Sequence, residues 1–226
     1  MKYENISPAV FLRRPNRFIA YILHEGEEKI CHVKNTGRCK ELLVPGADIL
    51  VQAAANPERK TPFDLISVYK GERLINMDAV APNVVFGEFL RAGGLGFIPE
   101  ALKAECSHGD SRFDFYFEHE GRQAFAEVKG VTLEDDGIVR FPDAPTERGV
   151  KHLHGLMECV KEGFDAYAVF VIQMADIRHF EPNEKTHREF AEALRAAEAA
   201  GVKVLAYECR VGIDSLEIAK PVKLVL

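Results

Sequence analysis

The stretch Ser111–Lys129 reads SRFDFYFEHEGRQAFAEVK. Within Arg112–Phe117, Phe113, Phe115 and Phe117 alternate with Asp114 and Tyr116, the period of a strand with one apolar and one polar face. Glu120-Gly121 fits a two-residue turn, with glycine where positive φ is wanted. Beyond it Phe125, Glu127 and Lys129 share one parity, and Ala124, Ala126 and Val128 the other. If His119 pairs with Arg122, Asp114 lies across from Glu127 with both side chains on one face; a slip of one residue on each side leaves them diagonal neighbours on that face. A β-hairpin carrying Asp114, Glu127 and Lys129 together is therefore predicted.

Two carboxylates on adjacent strands suit Mg²⁺ or Mn²⁺, because a hard divalent cation takes oxygen ligands, often one or two carboxylates plus waters and substrate phosphate oxygens. The Val128 carbonyl is a candidate third ligand. Lys129 is placed to orient a metal-bound water or to stabilise charge on a transferring phosphorus, and it offsets the repulsion of the two acids. The competing interpretation is an exposed strand face with a surface salt bridge, worth at most about 1 kcal/mol.

Upstream, residues 1–81 read as short strands, Phe18–Leu23, Lys29–Val33, Asp48–Ala53, Phe63–Tyr69 and Arg73–Met77, with turn signals at Glu25-Gly26, Pro45-Gly46 and Gly71. A helical turn or two is expected over Gly37–Val44, opened by Asn35 or Thr36 and closed before Pro45. Five strands with one small helix outline an OB-like barrel, although other barrels share the strand count. Downstream, residues 82–226 alternate helices (Val84–Ala92, Thr146–Glu162, Glu184–Ala200) with strands (Ala166–Ile172, Val202–Tyr207) around the hairpin, implying a mixed sheet flanked by helices. The expected class is α+β or mixed, with a domain boundary near residue 81.

The formal charge is −6, unevenly spread: residues 1–81 balance at +2 and residues 82–226 at −8, so a polyanion partner needs local basic patches. The 5 cysteines are scattered, without a C-x-x-C pair, and are read as reduced thiols in a cytoplasm. No apolar run approaches a membrane span and no signal-peptide pattern opens the chain, so a membrane is not an expected partner. His152 and His154 stand two apart on a helix, a poor geometry for one metal, so no zinc is assigned. Gly93-Gly94-Leu95-Gly96 lacks the strand and spacing of a dinucleotide fingerprint, so no nucleotide cofactor is expected.

Two basic clusters are candidates for phosphate contact. Arg13, Arg14 and Arg17 precede the first expected strand, and Lys34 and Arg38, with Asn35, Thr36 and Gly37 between them, flank an expected helix N-terminus whose amides suit an anion. Phe11 and Phe18 either stack on unpaired bases or fill the barrel core. On the helix from Thr146, Arg148, Lys151 and His152 lie at i, i+3 and i+4, opposite an apolar stripe of Val150, Leu153, Met157 and Val160. That ridge either lines a groove or is solvated; Asp143 is then a site residue or a cap.

With HVKNTGRCKELLVPG (His32–Gly46), SRFDF (Ser111–Phe115), EVKGVTL (Glu127–Leu133) and FPDAPTERGVKHL (Phe141–Leu153) taken together, the chain resembles the sugar fermentation stimulation protein A (SfsA) family over nearly its whole length. The resemblance implies an OB-like domain joined to a PD-(D/E)XK nuclease-like domain, DNA as partner, and a proposed regulatory link to sugar (maltose) metabolism. It makes Asp114, Glu127 and Lys129 the D, E and K of the nuclease motif, with Phe113 in place of its proline. Such folds often add an acid from a preceding helix, for which Glu88 is the candidate and Glu100 the second. Two functions follow: a DNA-binding, metal-dependent phosphodiesterase, or a DNA-binding regulator that keeps the fold without turnover.

Overall fold

The computed structural model describes residues 1–35, 37–56 and 58–226. Its N-terminal part contains β1 (Ile6–Asn16), β2 (Ile19–His24), β3 (Glu27–Val33), β4 (Asp48–Ala53), β5 (Phe63–Lys70) and β6 (Arg73–Asn76). They run in the order β3-β2-β1-β4-β5-β6, and a parallel contact of β3 with β5, Cys31–Val33 against Phe63–Leu65, closes five strands into an OB barrel. β1 was not foreseen, because Pro8, Pro15 and the Arg13-Arg14 pair interrupt its pattern. It changes partner midway, with Ile6–Val10 on β4 and Val10–Asn16 on β2. Pro8 thus falls where only one neighbour pairs, the edge situation in which a missing N–H is tolerated.

The helix expected over Gly37–Val44 shrinks to a single turn, with the Leu43 N–H on the Cys39 carbonyl at 2.9 Å. Lys34 and Arg38 therefore do not flank a helix N-terminus, and the anion site expected on that ground is corrected. Thr36 lies outside the described residues.

The second part comprises α1 (Ala81–Arg91), β7 (Ala101–His108), β8 (Ser111–His119), β9 (Arg122–Val131), β10 (Glu134–Asp135), β11 (Ile138–Phe141), α2 (Glu147–Lys161), β12 (Asp165–Ile172), β13 (His179–Pro182), α3 (Arg188–Ala199), β14 (Lys203–Val211) and β15 (Leu216–Pro221). Its mixed sheet has the order β15-β14-β12-β9-β8-β7, with β12 parallel to both β9 and β14; β10, β11 and β13 form a small separate sheet. On one face α1 buries Val85, Phe86 and Leu90 with Phe115, Phe117 and Ala126. On the other, α2 and α3 bury Leu153, Leu156, Phe190 and Leu194 with Phe113, Phe125 and Phe170. α1 opens at Ala81, three residues before the expected start, because Pro82 sits in the first turn, where its absent N–H has no helical partner to lose. α2 is capped by Thr146, whose Oγ1 accepts the Gly149 N–H at 3.0 Å.

The two parts share one core: Phe11, Val33 and Leu42 of the barrel belong to the same buried cluster as Val131, Val139 and Phe180. Polar contacts fix the join. Gln173 donates to the Asn76 side chain at 2.8 Å and to the Asp78 carbonyl at 2.9 Å. Glu134, 4% exposed, receives Lys70 at 2.7 Å and Arg73 at 2.5 Å from the barrel. Burial alone would raise the Glu134 carboxyl, but Lys70, the Gly137 N–H and Arg73 outweigh it and hold it at about 2. A carboxyl depressed on folding adds stability above its unfolded value near 4.5, and that stability is lost as pH falls toward about 2. Glu134→Gln is expected to cost about 3 kcal/mol at pH 7, measured by urea unfolding, with the difference from the parent shrinking below pH 4.5. A pH-independent difference would remove Glu134 as the clamp.

Candidate metal centre

The hairpin turns at Glu120 (φ 49) and Gly121 (φ 71), with His119 opposite Arg122. The ladder between β8 and β9 runs only to Phe115 opposite Ala126. There the strands part: β8 continues along β7, with Phe113 opposite Cys106, while β9 continues along β12, with Glu127 opposite Ala168 and Lys129 opposite Phe170. Asp114 stands at the root of this fork, its Oδ2 accepting the Val128 N–H at 2.7 Å and its Oδ1 accepting Asn83 Nδ2 from α1 at 2.8 Å. The simple alternation predicted for the hairpin lapses here. Phe115 and Phe117 pack toward α1, whereas Phe113 joins Phe125, ring centroids 5.4 Å apart, on the α2 side.

Glu127 is 5% exposed. Its Oε1 accepts both Lys129 Nζ, at 2.5 Å, and His152 Nδ1 from α2, while its Oε2 is buried and has no hydrogen-bond partner among the described residues. Burial and the neighbouring Glu127 push the Asp114 carboxyl up, against the opposing pull of the Val128 N–H, Asn83 and Lys129. For Glu127 burial also acts upward, but hydrogen bonds from His152 and Lys129 and the Lys129 charge prevail and hold it low. The two acids are thus electrostatically coupled and pushed apart. A buried carboxylate oxygen without a partner is costly, and a divalent cation is the kind of group that satisfies it. Among the described residues no three His, Cys, Asp or Glu side chains form a ready-made cation cage. A carboxylate pair completed by waters and substrate is the donor set Mg²⁺ or Mn²⁺ accepts, so the residues fit such an ion.

The family profile described as "Sugar fermentation stimulation protein RE domain" matches residues 80–215, and that described as "SfsA N-terminal OB domain" matches residues 12–77. The chain belongs to the SfsA family. It is 54% identical over 226 residues to the sugar fermentation stimulation protein homolog of Clostridium beijerinckii, covering 100% of both chains. It is 55% identical over 217 residues to that of Desulfitobacterium hafniense, covering 96% of this chain and 95% of the other. The solved structure of Pyrococcus furiosus SfsA in complex with Ca²⁺ matches with a TM-score of 0.90 at 25% identity, covering 100% of this chain and 98% of that one.

In this SfsA-family chain the remaining candidates separate. Val128 is buried opposite Val169. Glu88 does not join the pair, because its carboxylate holds the chain's N-terminal amine at 2.6 Å. Glu100 caps the hairpin tip, accepting the Glu120 N–H at 3.0 Å, at the other end of the strands. On α2 Arg148 and Lys151 are exposed but His152 is buried, which corrects the expected ridge. The buried stripe runs through Gly149, His152, Leu153, Leu156 and Cys159, since Gly149 and Gly155 let the helix approach closely: a Cβ at Gly155 would come within 2.6 Å of Ser111 Oγ.

Arg14 is a structural clamp: it donates to the carbonyls of Arg17 (2.6 Å), Asn35 (2.7 Å), Gly37 (3.0 Å) and Arg38 (3.1 Å). Lys34 pairs with buried Asp78 at 3.1 Å, and Arg13 pairs with Glu28 through two contacts of 2.7 Å. Asp143 accepts the Arg38 N–H at 3.0 Å, tying the barrel loop to the segment leading into α2. Gly37 is required there, because a Cβ would come within 2.5 Å of Asp143 Oδ2. Arg13, Arg17, Arg38 and the unanticipated Lys40 line a groove of about 540 Å³ on the barrel. Phe11 is core, whereas Phe18 is 47% exposed beneath Arg17, 5.2 Å away. Asn83 was missed because Ala81-Pro82-Asn83 reads as a break between domains.

Gly130 lies just beyond Lys129, and a Cβ on it would meet Gln173 Oε1 at 2.6 Å and Pro82 Cγ at 2.7 Å. Gly130→Ala is expected to push the start of α1, and Asn83 with it, away from Asp114, at a cost of about 1–3 kcal/mol in chemical denaturation. Unchanged stability would mean that α1 moves freely over β9.

Proposed function

We propose that this chain is a divalent-metal-dependent phosphodiesterase acting on DNA, with its centre at Asp114, Glu127 and Lys129. The observation that carries this is the buried Glu127 Oε2, without a partner among the described residues, beside an Asp114 whose carboxyl is raised by burial and by Glu127. Support comes from the Pyrococcus furiosus relative, whose structure is described as a complex with Ca²⁺, a hard cation that like Mg²⁺ takes oxygen ligands. The order Asp, then Glu-x-Lys on a paired strand, then a helix is that of PD-(D/E)XK nucleases, which adds support by analogy of fold.

Asp114 and Glu127, with the Val128 carbonyl, would hold the ion. When bound, it polarises a phosphoryl oxygen and lowers the pKa of a bound water. Lys129 keeps Glu127 ionised and sets a positive charge beside the position of the scissile phosphate. Exposed Arg148 and Lys151 at the start of α2 provide backbone contacts, and the barrel groove of Arg17, Arg38 and Lys40, with exposed Phe18, extends them.

The test incubates the protein with duplex, single-stranded and branched DNA, and with RNA, in Mg²⁺, Mn²⁺ or EDTA. Cleavage that needs metal and falls at least about 100-fold in Asp114→Ala, Glu127→Ala and Lys129→Ala is expected, an effect of the size seen when one electrostatic catalytic group is removed. Binding without cleavage in every condition would leave the non-catalytic regulator as the function. Separately, Arg17→Ala, Arg38→Ala and Lys40→Ala should each flatten the dependence of log affinity on log salt by about one unit. A slope unchanged in all three would exclude the groove from binding.

A further inference from the structure

α2 carries an imidazole that the mechanism above leaves without a task. His152 has 7% of its side chain exposed, and its Nδ1 meets Glu127 Oε1. The other ring nitrogen, Nε2, faces Arg148 Nε at 3.3 Å. A guanidinium N–H only donates, so Nε2 offers its lone pair and the ring proton of the neutral imidazole resides on Nδ1, pointed at the carboxylate. Lys129 Nζ reaches the same oxygen at 2.5 Å. Both donors therefore converge on Oε1, and Oε2 is the acceptor left open.

The surroundings keep the carboxylate from swinging. The space lined by Glu127, Lys129, His152, Leu153 and Phe170 is only about 10 Å³, less than or about the volume that admits one water. The helix that brings the imidazole is seated closely, since a Cβ on Gly149 would lie 3.1 Å from Phe190 of α3 and one on Gly155 would lie 2.6 Å from Ser111 Oγ of β8. Asn83 does for Asp114, from α1, what His152 does for Glu127 from α2.

Resting on the metal-centre reading above, we propose that His152 is a positioning residue whose Nδ1–H turns Glu127 so that Oε2 is presented to a divalent cation, with Arg148 fixing the ring tautomer. Groups that orient a ligand from behind typically change metal affinity by about 10–100-fold when removed. Phosphate held at Arg148 would then be sensed at the metal through one ring.

The test titrates Mn²⁺ calorimetrically into the metal-free full chain and into His152→Ala and His152→Asn, with melting in EDTA as the folding control. The amide of His152→Asn can place a donor near the position of Nδ1. A loss of about 10–100-fold in Mn²⁺ affinity for His152→Ala, largely recovered in His152→Asn, is expected. Ring ¹⁵N shifts of the parent in EDTA should show the Nδ1–H tautomer, a measurement that stands even if a variant fails to fold. Equal Mn²⁺ affinity in His152→Ala, no recovery in His152→Asn, or the Nε2–H tautomer would each overturn the proposal while leaving the metal centre intact. A parent that binds no Mn²⁺ would bring down the metal centre and this role together.

Discussion

The Asp114 carboxylate takes the Val128 N–H at the point where the ladder between β8 and β9 ends. This one charge-assisted bond satisfies a backbone donor at the fork that would otherwise be left open. It lets β8 leave with β7 and β9 with β12, and it sets an acid at the root of the gap they create. The same opening divides the phenylalanines, since Phe113 goes to the α2 face and Phe115 to the α1 face. The helices on the two sides can then each send a polar side chain toward the fork, Asn83 from α1 and His152 from α2.

The electrostatics follow from that arrangement. Asp114 is raised by burial and by its acidic neighbour, while Glu127, more deeply enclosed, is held low by His152 and Lys129. Two similar carboxyl groups are differentiated by the elements that approach them. The barrel joins this system through Arg38 and Asp143, on the segment that leads into α2. The groove of arginines with Lys40 and the paired acids thus belong to one connected framework, which accommodates a basic surface on a chain of net charge −6.

Much of this was legible in the sequence because its signals are local. The Glu120-Gly121 turn located the hairpin and kept Asp114 and Glu127 on one face in either register, the helical period placed α2 over Thr146–Glu162, and the apolar run Ala166–Ile172 marked a buried strand, seen as β12. What escaped depends on contacts between distant residues. β1 was hidden by two prolines whose positions are harmless only because the strand changes partners. His152 reads as part of a polar ridge in sequence, yet it is buried, on a helix whose Gly155 lets it come close to Ser111 of β8. The arginines near residue 14 look interchangeable in sequence, yet Arg14 is bound to four carbonyls while Arg17 is exposed, a difference set by the fold of a loop over twenty residues away. Asn83 sits in a segment whose composition signals a linker and whose role appears only once α1 lies over the sheet.

The buried cluster that runs from Phe11 and Val33 through Val131 to Phe180 crosses the junction between the two family profiles without a break. Separating the halves there would bare apolar surface on both. The border between the two family profiles therefore does not coincide with any border in the buried core of this chain.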